Sequence, residues 1–106
     1  MKFVVRPAAR EDILRQYRYY LIDQDAEAAA ERFLVAVRVA MEQMSRRPLV
    51  GAPKTLKDSA LKGLRSWPVK GFPAMRIYYL TSESEVRVIR VLHGKRDIDL
   101  LLGDGG

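Results

Sequence analysis

The chain has 106 residues, no cysteine, one histidine, 48% hydrophobic residues and a formal net charge of +6. That length suits one domain, residues 1–106, with one core that buries roughly 65% of the extended surface. Without cysteine there is no disulfide framework, thiol nucleophile or thiolate metal site, and one histidine without a carboxylate cluster argues against catalytic zinc.

The first element is KFVV at 2–5, a short β-rich run closed by Arg6 and Pro7. Proline cannot donate to a ladder but is well placed to open a helix. From Ala8 to about Gln24, Ile13, Leu14, Tyr17, Tyr20 and Leu21 recur at helical spacing, with Glu11 and Asp12 near the end that the helix dipole makes favourable for acids. Tyr17 and Tyr20 read as core. Asp25 is then the expected cap of a second helix, whose stripe is Ala26, Ala30, Phe33, Val37, Ala40 and Met44. The short junction IDQD predicts an antiparallel helical hairpin, and Ala29 and Ala30 allow a close approach. If Phe33 is buried, Phe33→Ala costs about 3–5 kcal/mol.

PLVGAPKTLKDSALKG at 48–63 has no clean period and reads as a long connection with room for one helical turn. Three β-like runs follow: LRSWPV at 64–69, PAMRIYYL at 73–80 and EVRVIRVL at 85–92. Pro68 marks the first as an edge strand or a bulged one. DIDLLL at 97–102 offers Ile98 and Leu101 to the core, and GDGG at 103–106 reads as a mobile tail. The order β-α-α-β-β-β predicts an α+β fold, with an antiparallel helical hairpin on one face of a mainly antiparallel sheet. No run reaches the length of a membrane span, and the apolar stretch before Arg6 is too short for a signal peptide, so we expect a soluble cytoplasmic protein.

The charge is uneven. Residues 46–96 hold twelve Lys/Arg against three Asp/Glu, whereas residues 1–45 are balanced and residues 97–106 are acidic. A concentrated positive field favours an anionic partner, nucleic acid or an acidic protein segment; the alternative is a solvated surface that keeps the chain soluble.

Alternation in EVRVIRVL puts Val86, Val88, Arg90 and Leu92 on one face, and in the preceding strand Arg76 shares a face with Ala74, Tyr78 and Leu80. A three-residue loop, Ser82–Ser84, would set Arg76 opposite Arg90 as an anion clamp; an even-numbered loop would put them on opposite faces. The alternative is that each reaches solvent. Arg65 and Trp67 share a strand face and suit stacking on a base or side chain, unless Trp67 anchors the sheet. The reaction such a basic site suits is RNA cleavage, with Arg and Lys stabilising a pentacovalent phosphate and His93, Lys62 or Tyr79 moving a proton. The competing reading is that His93 ends the last strand and bonds the backbone, with Gly94 permitting the turn.

The stripe through Ala29, Ala30 and Phe33, then Met44, Pro48 and Gly51, the segments GLRSWPV and RIYY and the closing VIRVLHGKRDI together resemble the ParE branch of the ParE/RelE toxin superfamily, from about residue 3 to residue 98. The resemblance implies the toxin of a type II toxin-antitoxin system, neutralised by a cognate antitoxin whose C-terminal segment, expected to be acidic, wraps it. ParE-type members are associated with poisoning DNA gyrase; RelE-type members cut messenger RNA on the ribosome. Lys57, Lys62, Arg65, Arg76 and Arg90 match the nuclease pattern loosely, no tyrosine follows Tyr79, and the Leu-His-Gly-Lys-Arg-Asp form is closer to ParE. Arg6-Pro7 replaces the frequent Ser-Pro. We therefore expect a non-enzymatic toxin without cofactor or metal, contacting target or antitoxin through Lys62, Arg65, Trp67, Arg76, Arg90, His93, Lys95 and Arg96. Were it a nuclease, Arg65, Arg76, Arg90 and His93 would form its site.

Overall fold

The computed structural model describes residues 2–54 and 62–97. β1 (Lys2–Val5) leads into α1 (Pro7–Arg18), which continues as one wide π turn over Tyr19–Asp23 before α2 (Glu27–Arg46). β2 (Ala52–Pro53), β3 (Arg65–Val69), β4 (Phe72–Thr81) and β5 (Glu85–His93) complete a five-stranded sheet in the order β1-β5-β4-β3-β2. β1 runs parallel to β5, and the remaining pairs are antiparallel. Among the described residues no helix is long and apolar enough to cross a membrane.

Pro7 opens α1 after an extended Arg6. Its fixed φ suits the first helical position, where its missing N–H is not needed. Arg15 and Arg18 occupy the last turn, where the dipole favours cations. The expected acidic start is absent, because Glu11 and Asp12 lie beyond the first turn and Asp12 turns inward.

Asp25 does not cap α2. It sits at φ 47°, and Ala26 precedes the helix without a side-chain cap. Reversing the chain after the π turn needs a left-handed residue, and aspartate tolerates that region better than most side chains.

The α2 stripe follows its period: Ala30, Phe33, Val37, Ala40 and Met44 are buried. They pack with Val69, Met75, Ile77, Tyr79, Val86, Val88 and Val91 on one sheet face. Phe33 also meets Tyr20 and Phe72 edge-on, at ring separations of 5.6 and 5.3 Å. Leu64, Tyr78, Ile89 and Leu92 form a second buried cluster. Tyr20 is therefore core, whereas Tyr17 is half-exposed and its hydroxyl donates to Glu31.

The β4–β5 register corrects the expected faces of β5. Thr81 pairs with Val86, so the loop holds an even number of residues, and a bulge then leaves Ile89 unmatched between Tyr79↔Val88 and Tyr78↔Arg90. Arg76 pairs with Leu92, not Arg90. Because the bulge breaks the alternation, Val91 joins Val86 and Val88 in the helix-side core while Leu92 joins Ile89.

The connection after α2 carries a strand that hydropathy does not reveal. β2 has two residues, one a proline, paired with Ser66 and Arg65. Pro68 lies beyond that pairing, next to a register shift in β3, as an edge or bulge position should. Lys57, Ile98, Leu101 and the GDGG tail lie outside the described residues.

Candidate functional site

β3, β4 and β5 place three strand arginines in three separate polar networks. Arg90 Nε and Nη2 donate to Asp12 at 2.7 and 2.8 Å, and the Val91 amide donates to the same carboxylate at 3.0 Å. This cluster ties α1 to the bulged strand, and Asp12 is buried. A buried carboxylate needs such partners, since an unpaired one would be strongly destabilising.

Arg76 points elsewhere. Its Nε and Nη2 donate to Ser66 Oγ at 3.1 and 3.0 Å on the neighbouring strand. A Cβ on Gly94 would stand 3.1 Å from Arg76 Cδ, so the bare backbone lets the arginine stem pass.

Arg65 lies opposite Tyr79, and both reach the turn that follows α2. Arg65 Nη1 donates to the carbonyls of Leu49 and Gly51 at 2.9 and 2.7 Å. Tyr79 Oη donates to the Pro48 carbonyl at 2.8 Å and accepts the Gly51 amide at 2.9 Å. Burial pushes the Tyr79 phenol above its ordinary pKa near 10, with the Gly51 hydrogen bond and the Arg65 charge pulling the other way. Tyr78 is raised mainly by burial too, partly offset by Arg76.

His93 closes β5. Its Nδ1 accepts the amides of Lys95 and Arg96 at 3.3 and 3.0 Å, and its carbonyl accepts the Asp97 amide at 3.0 Å. In the neutral ring the proton therefore sits on Nε2. Arg96 Nε lies 3.4 Å from Asp97 Oδ1, while Lys62 and Lys95 are exposed.

Two concave surfaces flank the helices. A cavity of about 950 Å³ runs between α1, the π turn and the β3–β4 turn, with His93 and Arg96 among its lining residues. None of Arg65, Arg76 and Arg90 lines it. A groove of about 560 Å³ separates α2 from β3, where Val35 and Val39 face Trp67 and Phe72. Trp67 is half-buried and packs on the helix-side core, so it anchors the sheet as well as lining that groove.

Two contributors were missed by inspection of the sequence: Asp12 and the Pro48–Gly51 backbone. Asp12 carried a readable signal, a carboxylate three residues after buried Ala9 and beside Ile13 on the apolar side of α1. The turn carried none, because its part is played by carbonyl and amide groups.

The family model for the ParE toxin of the type II toxin-antitoxin system parDE matches residues 3–98. The chain belongs to the ParE toxin family. Two solved structures share its fold. One, from the chromosomal ParDE toxin-antitoxin system of P. aeruginosa, superimposes with a TM-score of 0.68 at 13% identity, covering 88% of this chain and 95% of that one. The other, a YoeB/ParE toxin from Agrobacterium tumefaciens, gives 0.57 at 23% identity, covering 88% and 98%. No curated protein is significantly similar in sequence. The ParE resemblance read from the stripe, GLRSWPV and VLHGKRDI is thus borne out, as is the α+β arrangement of a helical hairpin on a mostly antiparallel sheet.

In this ParE-family fold the Arg76–Arg90 clamp that a three-residue loop would give is absent, because Thr81 pairs with Val86 and Arg76 with Leu92. Each guanidinium has instead found its own partner, which removes the repulsion that direct opposition would create.

Proposed function

We propose that this ParE-family chain is a binding toxin that arrests growth in the cytoplasm by inhibiting a gyrase-type topoisomerase, and that a cognate antitoxin with an acidic segment neutralises it. The observation that carries this reading is the internal engagement of the residues a nuclease would need. Arg65 is spent on two carbonyls, Arg76 on Ser66, Arg90 on Asp12, and His93 Nδ1 on its own turn. Stabilising a pentacovalent phosphate requires donors that converge on one point with a proton carrier beside them. These groups are dispersed over three strands and bonded to partners within the chain.

The basic segment supports the partner side of the proposal. Twelve cations against three acids in residues 46–96 create a field that steers encounter with an acidic polypeptide or with a topoisomerase bound to DNA.

The test adds the purified chain to DNA gyrase and relaxed plasmid, beside translating ribosomes with a defined transcript. The proposal expects loss of supercoiling with an intact transcript. Transcript cleavage with normal supercoiling would replace it with the ribosome-dependent endoribonuclease.

A further inference from the structure

We infer that Leu49 and Val50 form a preorganised docking knob, by which the toxin engages an apolar pocket with an acidic rim on a folded protein, its cellular target. The inference rests on the binding-toxin reading. It begins with the backbone of the turn. The Pro48 carbonyl accepts from Tyr79, the Leu49 carbonyl accepts from Arg65, the Gly51 amide and carbonyl bond Tyr79 and Arg65, and the Val50 amide donates to the Arg47 carbonyl. Tyr79 is wholly buried. A Cβ on Gly51 would fall 2.3 Å from Tyr79 Oη, so the turn is seated on the phenol as closely as a backbone can be.

What this support presents is apolar and exposed. Leu49 is 68% exposed and Val50 41%. Scattered apolar side chains are ordinary on protein surfaces. This pair differs because five hydrogen bonds fix the backbone that carries it, the arrangement that lowers the ordering cost of an interface anchor.

The surrounding charge selects the partner. From Gln43 to Lys54 the chain has three cations, Arg46, Arg47 and Lys54, and no carboxylate. Arg46 and Arg47 are exposed, and neither they nor Lys54 form an ion pair with a described residue. An apolar tip with cations on both sides of it in the chain complements an apolar pocket with an acidic rim. Shape separates target from antitoxin. Leu49 and Val50 line neither concave surface beside the helices, so they enter a partner's hollow, whereas an extended antitoxin segment is suited to the grooves.

The test uses the full chain carrying Leu49→Ser with Val50→Ser, and separately Arg46→Glu with Arg47→Glu, with thermal unfolding to confirm the fold. Each chain is induced without antitoxin, and each is mixed with purified antitoxin to follow complex formation. The inference expects both variants to fold and to raise survivors roughly tenfold or more, and Leu49→Ser/Val50→Ser to bind antitoxin as the unmodified chain does. Undiminished killing by folded Leu49→Ser/Val50→Ser overturns the knob and leaves the binding-toxin reading standing. Loss of antitoxin binding by that variant assigns the turn to the antitoxin and overturns the target assignment. Killing lost only in the charge-reversed variant indicates contact with nucleic acid through charge and overturns the apolar pocket. An unmodified chain that leaves growth unaffected overturns the binding-toxin reading, and the knob with it.

Discussion

Asp12 and Arg90 lie 78 residues apart in sequence and meet in a two-pronged ion pair, Nε to Oδ2 at 2.7 Å and Nη2 to Oδ1 at 2.8 Å, with both side chains largely withdrawn from water. The pair joins α1 to β5 just past the bulge, and the same carboxylate accepts the Val91 amide. Removing one partner leaves a buried charge, which costs about 3–5 kcal/mol, far more than an exposed surface pair contributes. Asp12→Ala should lower the unfolding free energy read from urea titration by that amount. Asp12→Leu with Arg90→Met should lose less than the two single substitutions summed, because both charges leave together. Losses that add fully would show that the two residues act independently.

Tyr79 holds the Pro48–Gly51 turn by one donated and one accepted hydrogen bond. Tyr79→Phe strands a carbonyl and an amide and should cost about 1–3 kcal/mol at neutral pH. Tyr78 is equally buried, but its hydroxyl bonds no described residue, so Tyr78→Phe should be nearly neutral there. The pH dependence follows from the direction of both shifts. Burial raises each phenol in the folded state above its ordinary 10.0, so their contribution is fully present below pH 10 and is lost as pH rises through the folded values. Either substitution should flatten the alkaline fall in melting temperature. An unchanged slope between pH 9 and pH 11, taken here as roughly the window around the unfolded phenol, would show that neither phenol governs it.

His93 terminates β5 by accepting two amides at Nδ1. His93→Ala should cost about 1 kcal/mol, the ordinary contribution of such bonds at an exposed turn. Killing by the induced chain should stay within about twofold, since the reading gives the ring no proton to move. A large fall in killing with an unchanged melting temperature would make His93 a functional group.

The elements whose signal is local periodicity were legible in the sequence. KFVV became β1 over the predicted residues, and the Ala30–Met44 stripe is the buried face of α2, because a face packed against one partner needs one hydrophobic period. The elements set by long-range geometry were not. β2 spans two residues and has no period to read, and the Ile89 bulge is defined by its partner strand. Asp25 has a capping side chain in a capping place, yet the π turn before it demanded a reversal. The basic candidates follow the same rule. Strand alternation marked Arg76 and Arg90, and a face shared with Trp67 marked Arg65, but only the register and α1 decide that their partners are carbonyls, a serine and Asp12.

The central claim is that this ParE-family toxin acts by binding and not by cutting RNA. The most direct measurement follows chromosomal DNA breaks and messenger RNA integrity together, minute by minute, after induction of the chain in cells that lack its antitoxin. The account predicts early DNA breaks while transcripts remain full length. Transcript cleavage preceding any DNA damage would contradict it, and would require Arg65, Arg76, Arg90 and His93 to exchange their internal partners for a phosphate.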